Sequence, residues 1–247
     1  MLKIGILIIA TNKYIEFFSE LEEDIYKYFL QSEDVNIILF TNKLKYKSKN
    51  KNTKIIPIKH EKWPFATLKR FEYFNNAKND ITKFDYIFYL DVDMKIINPV
   101  ENKILANLIG TTHPGYSDSE NIFFPTSQNI NSKAYIGEEE KLTLNTYFAG
   151  GFFGGKKTFF LKLVETLDQN IKLDIKNNAI PKWHDESHLN KYFSINPPDK
   201  ILSRYYCFDQ RDLNETNQSK VKIVAIDKNE DGNFEVILFG KDNPVTV

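Results

Sequence analysis

Short apolar runs rich in β-branched residues alternate with stretches of helical spacing through the first hundred residues, and this alternation restricts the fold most strongly. The runs are Ile4–Ala10, Val35–Phe40, Ile55–Ile58 and Tyr86–Leu90. Apolar side chains recur at helical spacing between the first two runs, and again over Thr67–Ala77. Uninterrupted apolar strands are typical of sheets covered on both faces. The pattern therefore predicts the α/β class, with a mainly parallel sheet and helices on both sides.

The second half of the chain is less regular, although 247 residues is an ordinary length for one α/β domain. It contains a helical stretch, Thr158–Lys172, and two strand-like runs, Val221–Ile226 and Phe234–Phe239. The sequence shows no internal repeat and no clear linker. We therefore expect a single domain over residues 1–247, with one half at about 1–110 and the other at about 111–247.

The charge balance and the cysteine content exclude some classes of protein. The chain has 33 basic and 33 acidic residues, and its only arginines are Arg70, Arg204 and Arg211. Proteins that bind nucleic acid usually carry an arginine-rich basic surface, so this balance argues against such a partner. Cys207 is the only cysteine, which excludes a disulfide within the chain. The N-terminal apolar run is too short for a membrane span and lacks the pattern of a secretory signal.

Two aspartates follow a buried strand directly. Asp91 and Asp93, on either side of Val92, come immediately after the apolar run that ends at Leu90. In parallel α/β sheets, ligands bind beyond the carboxyl ends of the strands. Mg²⁺ and Mn²⁺ prefer oxygen ligands and keep positions open for phosphate oxygens. We therefore expect Asp91 and Asp93 to hold a divalent cation beside a diphosphate leaving group.

Three segments look like known ligand motifs, but each lacks a residue that the chemistry needs. Gly150–Lys156 has the glycine spacing of a phosphate-binding loop without the following Ser or Thr that would bind the metal. His184–His188 lacks a glutamate directly after its first histidine, as a zinc-protease helix requires. Asp227–Leu238 resembles an EF-hand loop but ends in leucine instead of a bidentate glutamate. We expect none of them to bind the ligand of its motif.

Asp185 and Glu186 form a further acidic pair, at the start of a predicted helix. Adjacent helix positions point about 100° apart, which allows one carboxylate to face a donor and the other an acceptor. A carboxylate beside an anomeric carbon acts as a nucleophile or stabilises a cationic transition state. The helix dipole alone also favours acids in the first turn. Trp183, just before them, is of a type that stacks on sugar rings or packs in a core.

Six lysines lie within twelve residues, and they define a lysine-rich loop: Lys43, Lys45, Lys47, Lys49, Lys51 and Lys54. A solvated surface loop is the first interpretation of such a run. Contact with an anionic membrane surface is the second, because each lysine near such a surface adds to the attraction.

Five motifs occur in order along nearly the whole chain. They are Tyr89–Met94 (YLDVDM), Gly110–Gly115 (GTTHPG), Ala134–Ile136 (AYI), Tyr147–Gly155 (YFAGGFFGG) and Trp183–Tyr192 (WHDESHLNKY). Together they resemble the motifs of glycosyltransferase family 6, the retaining family that contains the blood-group A and B transferases. The last motif, ten residues without a break, is the most specific.

The resemblance implies a glycosyltransferase type A fold, in which a Rossmann-like, mainly parallel sheet is flanked by helices. It implies that residues 1–110 hold the nucleotide sugar and residues 111–247 the acceptor. The implied reaction moves GalNAc from UDP-GalNAc, with retention, to the 3-hydroxyl of a fucosylated, H-antigen-like galactoside in α-1,3 linkage. An α-1,3-galactosyltransferase that uses UDP-Gal is the alternative, and a non-catalytic sugar-nucleotide binding protein is a weaker one. Mn²⁺ or Mg²⁺ is the implied cofactor.

The same resemblance assigns roles to individual residues. Glu186 matches the catalytic glutamate beneath the anomeric carbon, and Asp91 and Asp93 match a metal-binding pair. The residues that match donor-binding positions are Ile9, Ala10, Thr11, Tyr14, Arg70, Asp91, Val92, Asp93, Ala149, Gly150, Gly151, Asp185 and Lys228. The residues that match acceptor-binding positions are His113, Trp183, Glu186 and Asp209.

The expected sugar donor follows from the small residues Ala149 and Gly151. In the family, these positions shape the pocket around the C2 substituent of the sugar, and small residues leave room for an acetamido group. A roomy pocket rejects the smaller galactose only weakly. We therefore expect UDP-GalNAc as the preferred donor.

The chain resembles the short bacterial members of the family, which lack the membrane anchor and stem of the animal members. We therefore expect a cytoplasmic protein with a UDP-sugar donor, a galactoside acceptor and no nucleic-acid partner. Peripheral contact with the inner membrane would be made through the lysine-rich loop.

Overall fold

The computed structural model of the chain describes residues 1–117, 123–142 and 144–228. Within these ranges the strands are β1 (Lys3–Ile9), β2 (Asp34–Thr41), β3 (Thr53–Pro57), β4 (Tyr86–Leu90), β5 (Met94–Ile96), β6 (Leu108–Thr112), β7 (Phe148–Lys156), β8 (Lys200–Leu202), β9 (Phe208–Asp209) and β10 (Ile223–Ala225). The α-helices are α1 (Ile15–Tyr28), α2 (Phe65–Leu68), α3 (Arg70–Asn76), α4 (Lys78–Ile81), α5 (Glu138–Lys141), α6 (Lys157–Lys176) and α7 (His184–Ile195). Short 3₁₀ helices span Asn12–Tyr14, Asn102–Ile104, Pro114–Tyr116, Arg204–Tyr206 and Gln210–Glu215. Among the residues described, no helix combines the length and the apolar character needed to cross a membrane.

Seven of these strands form the central sheet, in the order β3-β2-β1-β4-β7-β6-β8. The first four run parallel to one another. β7 runs antiparallel to both of its neighbours, and β8 runs parallel to β6 at the far edge. The α/β class and the mainly parallel sheet predicted from the apolar runs are therefore confirmed.

Strand β1 shows how the sheet is covered on both faces. Successive side chains of a strand point to opposite faces. Ile6 is fully buried in one apolar cluster with Phe18 of α1. Leu7 is fully buried in a second cluster, with Phe71 of α3 and Phe160 of α6. Each face of the sheet therefore has its own apolar core beneath its own helices.

A second sheet of three strands, β5-β10-β9, lies next to the end of β4. The predicted run Val221–Ile226 contains its central strand, β10, which is antiparallel to β5 and parallel to β9. The N–H of Ile226 donates to the carbonyl oxygen of Asp93 at 2.9 Å, so the small sheet reaches the aspartate pair. The predicted run Phe234–Phe239, and most of Asp227–Leu238, lie outside the described residues.

The structure corrects the sequence prediction in two places. The helix predicted over Thr67–Ala77 is divided into α2 and α3, because Lys69 has a ψ of 1°, outside the helical range. The alternation of strand and helix also fails between β2 and β3, where the lysine-rich loop makes the connection. The division makes Arg70 the first residue of α3, and its side chain is buried.

The glycines at the end of β7 lie where the chain approaches neighbouring backbone closely. A Cβ atom added to Gly154 would overlap the carbonyl oxygen of Ile87 in β4, and one added to Gly155 would overlap that of Asn107. Gly155 also has a φ of 149°, which side chains rarely adopt. These glycines therefore serve the packing of a strand, which explains a spacing that resembles a phosphate-binding loop.

Candidate functional site

Asp91 follows β4 at the carboxyl edge of the sheet, and its carboxylate is partly buried. Its N–H donates to the carbonyl oxygen of Gly151 at 2.9 Å, which ties this position to β7. Its Oδ1 accepts hydrogen bonds from the Tyr89 hydroxyl and from Nη2 of Arg70, the latter at 3.4 Å. Burial raises the pKa of Asp91 to about 6; Arg70 opposes the rise and Asp93 adds to it. Within the described ranges its Oδ2 accepts no hydrogen bond, which leaves that oxygen available to a ligand.

Arg70 joins three elements of the site through one buried guanidinium group. Its Nε lies 3.1 Å from Oδ2 of Asp185 in α7. Its Nη1 donates to the carbonyl oxygen of Gly150 in β7 at 2.7 Å. The guanidinium also lies 4.3 Å from the centre of the Tyr89 ring. Because arginine carries several donors in a fixed plane, Arg70 holds the ends of β4, β7 and α7 in one arrangement.

Glu186 lies in the first turn of α7, and its carboxylate faces β7. Its Oε2 accepts a hydrogen bond from the N–H of Gly150 at 2.9 Å. His184 begins the helix with a φ of 46°, a left-handed value that is uncommon outside glycine. Burial raises the pKa of Glu186 to about 7, although the Gly150 N–H opposes the rise. A partly buried carboxylate whose pKa is raised in this way is typical of an active site.

Lys228 places a positive charge against the second aspartate. Its Nζ lies 2.6 Å from Oδ2 of Asp93 and 5.6 Å from the centre of the Tyr14 ring. Burial lowers the pKa of Lys228, but the ion pair with Asp93 outweighs this effect and raises it. The structure therefore brings together three residues predicted from distant parts of the sequence.

The end of β1 lies beside the aspartate pair. Ala10 is buried, and its N–H donates to the carbonyl oxygen of Phe40 in β2 at 2.9 Å. Ile9 and Thr11, on either side, are partly exposed. The Thr11 hydroxyl lies 3.0 Å from Nδ1 of His60, in the loop before α2. The first-strand segment is thus fixed by the sheet on one side and by this loop on the other.

The start of β7 lies between the aspartate pair and Glu186. Ala149 and Val92 are buried in the same apolar cluster. A Cβ atom added to Gly151 would overlap the methyl group of Met94 and would lie 3.2 Å from Oδ2 of Asp91. The missing side chain therefore leaves Oδ2 of Asp91 uncovered.

The other predicted acceptor residues follow β6 (His113), precede α7 (Trp183) and end β9 (Asp209). Burial lowers the pKa of His113, and the charge of Asp209 opposes this change, so the two side chains lie near each other. The His113 ring is 5.7 Å from the ring of Tyr147. Arg211 holds Asp209 by donating from Nε at 2.9 Å. Trp183 precedes α7 with its indole partly exposed.

Direct contacts thus connect two groups of the predicted site residues, but not all of them. One group contains Arg70, Asp91, Gly150, Asp185 and Glu186. A second contains Asp93, Lys228 and Tyr14. The Trp183 side chain makes no hydrogen bond to either group in the part of the chain described, and lies instead near Nζ of Lys182, which is 5.4 Å from its ring.

Three aromatic residues contact the site and were not among the predicted site residues. The Tyr89 hydroxyl donates a hydrogen bond to Asp91, and the Trp63 ring packs on the His184 ring. Burial raises the pKa of Tyr147, and the nearby charge of Glu186 raises it further. Tyr89 and Tyr147 each stand first in one of the motifs, which is the signal that marks them in the sequence. Trp63 carries no such signal, because its contact depends on a loop folding back onto α7.

Comparisons with known proteins show the family of the chain. The model of Glycosyltransferase family 6 matches residues 1–233. The O-antigen biosynthesis glycosyltransferase WbnI of Escherichia coli is 31% identical over 228 residues, which are 88% of this chain and 92% of that protein. Histo-blood group ABO system transferase 1 of Rattus norvegicus is 31% identical over 235 residues, which are 92% of this chain and 67% of that protein. Globoside alpha-1,3-N-acetylgalactosaminyltransferase 1 of Mus musculus is 28% identical over 236 residues, which are 92% of this chain and 67% of that protein.

The family match covers nearly the whole chain and includes every predicted site residue. The mixed sheet, with its flanking helices, is that of a glycosyltransferase type A fold. The chain therefore belongs to glycosyltransferase family 6 and is a hexosyltransferase.

Proposed function

We propose that this enzyme transfers GalNAc from UDP-GalNAc, with retention, to the 3-hydroxyl of a galactoside in α-1,3 linkage. The contact of Glu186 with the Gly150 N–H, beside the pair of Arg70 and Asp185, supports this proposal most strongly. This hydrogen bond holds the Glu186 carboxylate, whose pKa is raised, between β7 and α7. Relatives named as a blood-group transferase and a globoside α-1,3-N-acetylgalactosaminyltransferase support the choice of sugar and linkage.

Asp91 and Asp93 fit a divalent cation. Asp93 already binds the Lys228 ammonium group at 2.6 Å, so its carboxylate accepts a positive charge at this point. Gly151 leaves Oδ2 of Asp91 uncovered. Such an all-oxygen donor set suits Mn²⁺ or Mg²⁺. When bound there, the cation would neutralise charge on the diphosphate leaving group.

The remaining donor residues would bind and orient the UDP-sugar. Ile9, Ala10, Thr11, Tyr14 and Val92 border the place that we assign to uridine. Lys228 would move its charge from Asp93 to the diphosphate. Arg70 occupies Oδ2 of Asp185, which leaves Oδ1 to accept a hydrogen bond from a sugar hydroxyl.

Glu186 would act at the anomeric carbon. The bond from this carbon to the diphosphate oxygen breaks, and UDP leaves. The carboxylate either bonds to the carbon until the acceptor 3-hydroxyl displaces it, or stabilises the cationic centre while the hydroxyl attacks from the same face. In both routes the hydroxyl gives its proton to an oxygen of the departing diphosphate as the new glycosidic bond forms. His113, Trp183 and Asp209 would hold the acceptor.

Turnover of the two candidate donors tests this proposal. Purified protein is incubated with UDP-GalNAc or UDP-Gal and with 2′-fucosyllactose as acceptor, in Mn²⁺ or in EDTA. We expect Mn²⁺-dependent transfer, faster from UDP-GalNAc because Ala149 and Gly151 leave room for the acetamido group. Faster transfer from UDP-Gal would contradict the donor assignment, and full activity in EDTA would contradict the metal assignment.

The lysine-rich loop supports a second proposal, contact with an anionic membrane surface. Lys49 and Lys54 pair with acidic side chains of neighbouring helices. The other lysines of the loop form no ion pair with any residue in the described ranges: Lys43, Lys45, Lys47 and Lys51. Leu44, between two of them, has 70% of its surface exposed. Lysines around an exposed leucine suit anionic lipid. We expect co-sedimentation with phosphatidylglycerol vesicles and none with phosphatidylcholine; equal behaviour with both would contradict the proposal.

A further inference from the structure

The start of β7 is irregular in its pairing with both neighbouring strands. Its register against β6 shifts, so that residues 149–152 lie opposite the single residue Thr111. On its other side, the ladder with β4 ends at Phe152. An irregularity of this kind leaves backbone groups without a strand partner and often lies next to an active site. Because buried N–H and C=O groups need partners, the buried segment from Phe148 to Gly150 depends on contacts from outside the sheet.

Asn190 of α7 binds the backbone at this point. The residue is buried, with 4% of its surface exposed. Its Oδ1 accepts a hydrogen bond from the N–H of Phe148 at 2.8 Å, and its Nδ2 donates to the carbonyl oxygen of Phe148 at 2.9 Å. The same Nδ2 also donates to the carbonyl oxygen of Glu186 at 3.0 Å. One amide group therefore pairs with both backbone groups of the first residue of β7 and joins them to the first turn of α7.

Two side chains of α7 thus bind alternate residues of β7. Asn190 lies four residues after Glu186, one turn along the same face of the helix. Phe148 and Gly150 are two residues apart, and N–H groups two residues apart in a strand point the same way. Asn190 binds Phe148, and Glu186 accepts the Gly150 N–H at 2.9 Å. At the start of β7, α7 therefore supplies the hydrogen bonds that a neighbouring strand supplies elsewhere.

We infer that Asn190 is a positioning residue for Glu186, because it holds the start of β7 where the Gly150 N–H meets the Glu186 carboxylate. Asn190 acts through the backbone of Phe148 and not through contact with a substrate. The inference rests on the proposed function, in which Glu186 acts at the anomeric carbon. A misplacement of about 1 Å near the reacting atoms lowers a rate by up to about a hundredfold, so a small shift of β7 is sufficient.

Truncation of Asn190 tests this role. For Asn190→Ala we expect kcat for transfer from UDP-GalNAc to 2′-fucosyllactose to fall about tenfold, because Glu186 loses its fixed position. The affinity for UDP in Mn²⁺ should stay within about twofold of the wild-type value, because β4 separates β7 from the segment assigned to uridine at the end of β1.

A milder variant keeps the test valid if Asn190→Ala does not fold. Asn190→Ser retains a hydroxyl at this position and should lower kcat about fivefold, the effect of losing about one hydrogen bond. A folded variant with kcat within about twofold of the wild-type value, or with an equal loss of UDP affinity, would overturn the inference.

A double-mutant cycle separates the positioning of Glu186 from a general effect on the fold. In Glu186→Gln the negative charge is gone, so its exact position no longer determines the rate. Adding Asn190→Ala to this variant should lower kcat by less than about twofold further, whereas residues that act independently give additive losses. A further loss of about tenfold would show that Asn190 acts independently of Glu186 and would overturn the inference.

Two control variants accompany Asn190→Ala. Asn196 lies after the end of α7, and its Nδ2 donates to the carbonyl oxygen of Tyr192, four residues earlier, at 3.3 Å, but it makes no hydrogen bond to β7 among the residues that the structure describes. Val35 is a buried residue of β2, which β1 and β4 separate from β7. Val35→Ala lowers stability because it truncates a core side chain. We expect both Asn196→Ala and Val35→Ala to keep the wild-type kcat; a loss equal to that of Asn190→Ala in either would contradict the inference.

Hydrogen exchange tests the inference without any transfer of sugar. The Phe148 N–H bonds directly to Asn190, whereas the Gly150 N–H depends on Asn190 only through the strand. In Asn190→Ala we expect both amides to exchange about fivefold faster than in the wild type, and neither to change in Asn196→Ala. Unchanged exchange at Gly150 would overturn the inference. If the wild-type enzyme transfers no sugar, the proposed function fails, whereas this measurement still shows whether Asn190 positions β7.

Discussion

The Nε of Arg70 lies 3.1 Å from Oδ2 of Asp185, and the same guanidinium donates to the carbonyl oxygen of Gly150. Asp185 is followed directly by Glu186, so the ion pair that fixes the first carboxylate also fixes the second. Gly150, in turn, donates its N–H to Glu186. The position of the proposed catalytic carboxylate is thus set by one buried arginine and one peptide unit of β7.

Replacing Arg70 by lysine tests this arrangement. A lysine has a single ammonium group, which cannot serve Asp185, Asp91 and the Gly150 carbonyl together. Because buried carboxylates then lose their partner, we expect the free energy of unfolding to fall by about 3 kcal/mol in urea titrations. Arg211→Lys, in an exposed pair with Asp209, is the control and should change it by less than about 1 kcal/mol. Equal effects of the two substitutions would contradict the role of Arg70.

Lys228 and a metal ion should compete for Asp93. Lys228→Ala removes an ammonium group that lies 2.6 Å from Oδ2 of Asp93. In the absence of UDP we expect Mn²⁺ to bind about fivefold more tightly, the effect of about 1 kcal/mol between two solvated charges. UDP in the presence of Mn²⁺ should bind more weakly, because the diphosphate loses a cation. Calorimetric titration measures both affinities, with Lys13→Ala, at an exposed lysine, as the control. Unchanged or weaker Mn²⁺ binding would exclude the competition.

The raised pKa of Glu186 predicts a pH-dependent effect on stability. In the folded protein its pKa is about 7, against an ordinary value of 4.5. The folded chain thus binds the proton more tightly than the unfolded chain, and the stability that this gives below pH 4.5 is lost as the pH rises to about 7. Glu186→Gln stays neutral, so at pH 8 we expect it to be about 1–3 kcal/mol more stable than the wild type. Urea titrations should show this difference at pH 8 and almost none at pH 4.5; the same difference at both would contradict the raised pKa.

Local sequence patterns are sufficient for the parallel half of the fold. β1, β2, β3 and β4 all lie at predicted apolar runs. β1 and β4 are almost fully buried, and a strand covered on both faces needs apolar side chains on both. The segment of β7 shows a glycine-rich motif and no strand pattern in the sequence, since glycine disfavours strands. Its glycines are explained by backbone atoms of β4 and of Asn107, which the sequence does not place nearby.

In the site, too, the sequence predicts some residues, whereas other contacts depend on tertiary packing. The family resemblance identifies Arg70, Asp91, Asp185 and Glu186 as site residues, and the structure joins them by direct contacts. The contact of Trp63 with His184 was not predicted, because it joins residues more than a hundred positions apart without a motif. Such pairs follow only from the packing of α2 against α7.

Replacing Glu186 by glutamine tests most directly whether its carboxylate acts at the anomeric carbon. Glutamine has nearly the same volume and still accepts the Gly150 N–H, but it carries no negative charge. We expect transfer from UDP-GalNAc to 2′-fucosyllactose to fall by about a thousandfold, while the affinity for UDP in Mn²⁺ changes by less than about twofold. Transfer at the wild-type rate, or an equal loss of UDP affinity, would contradict the assignment of Glu186.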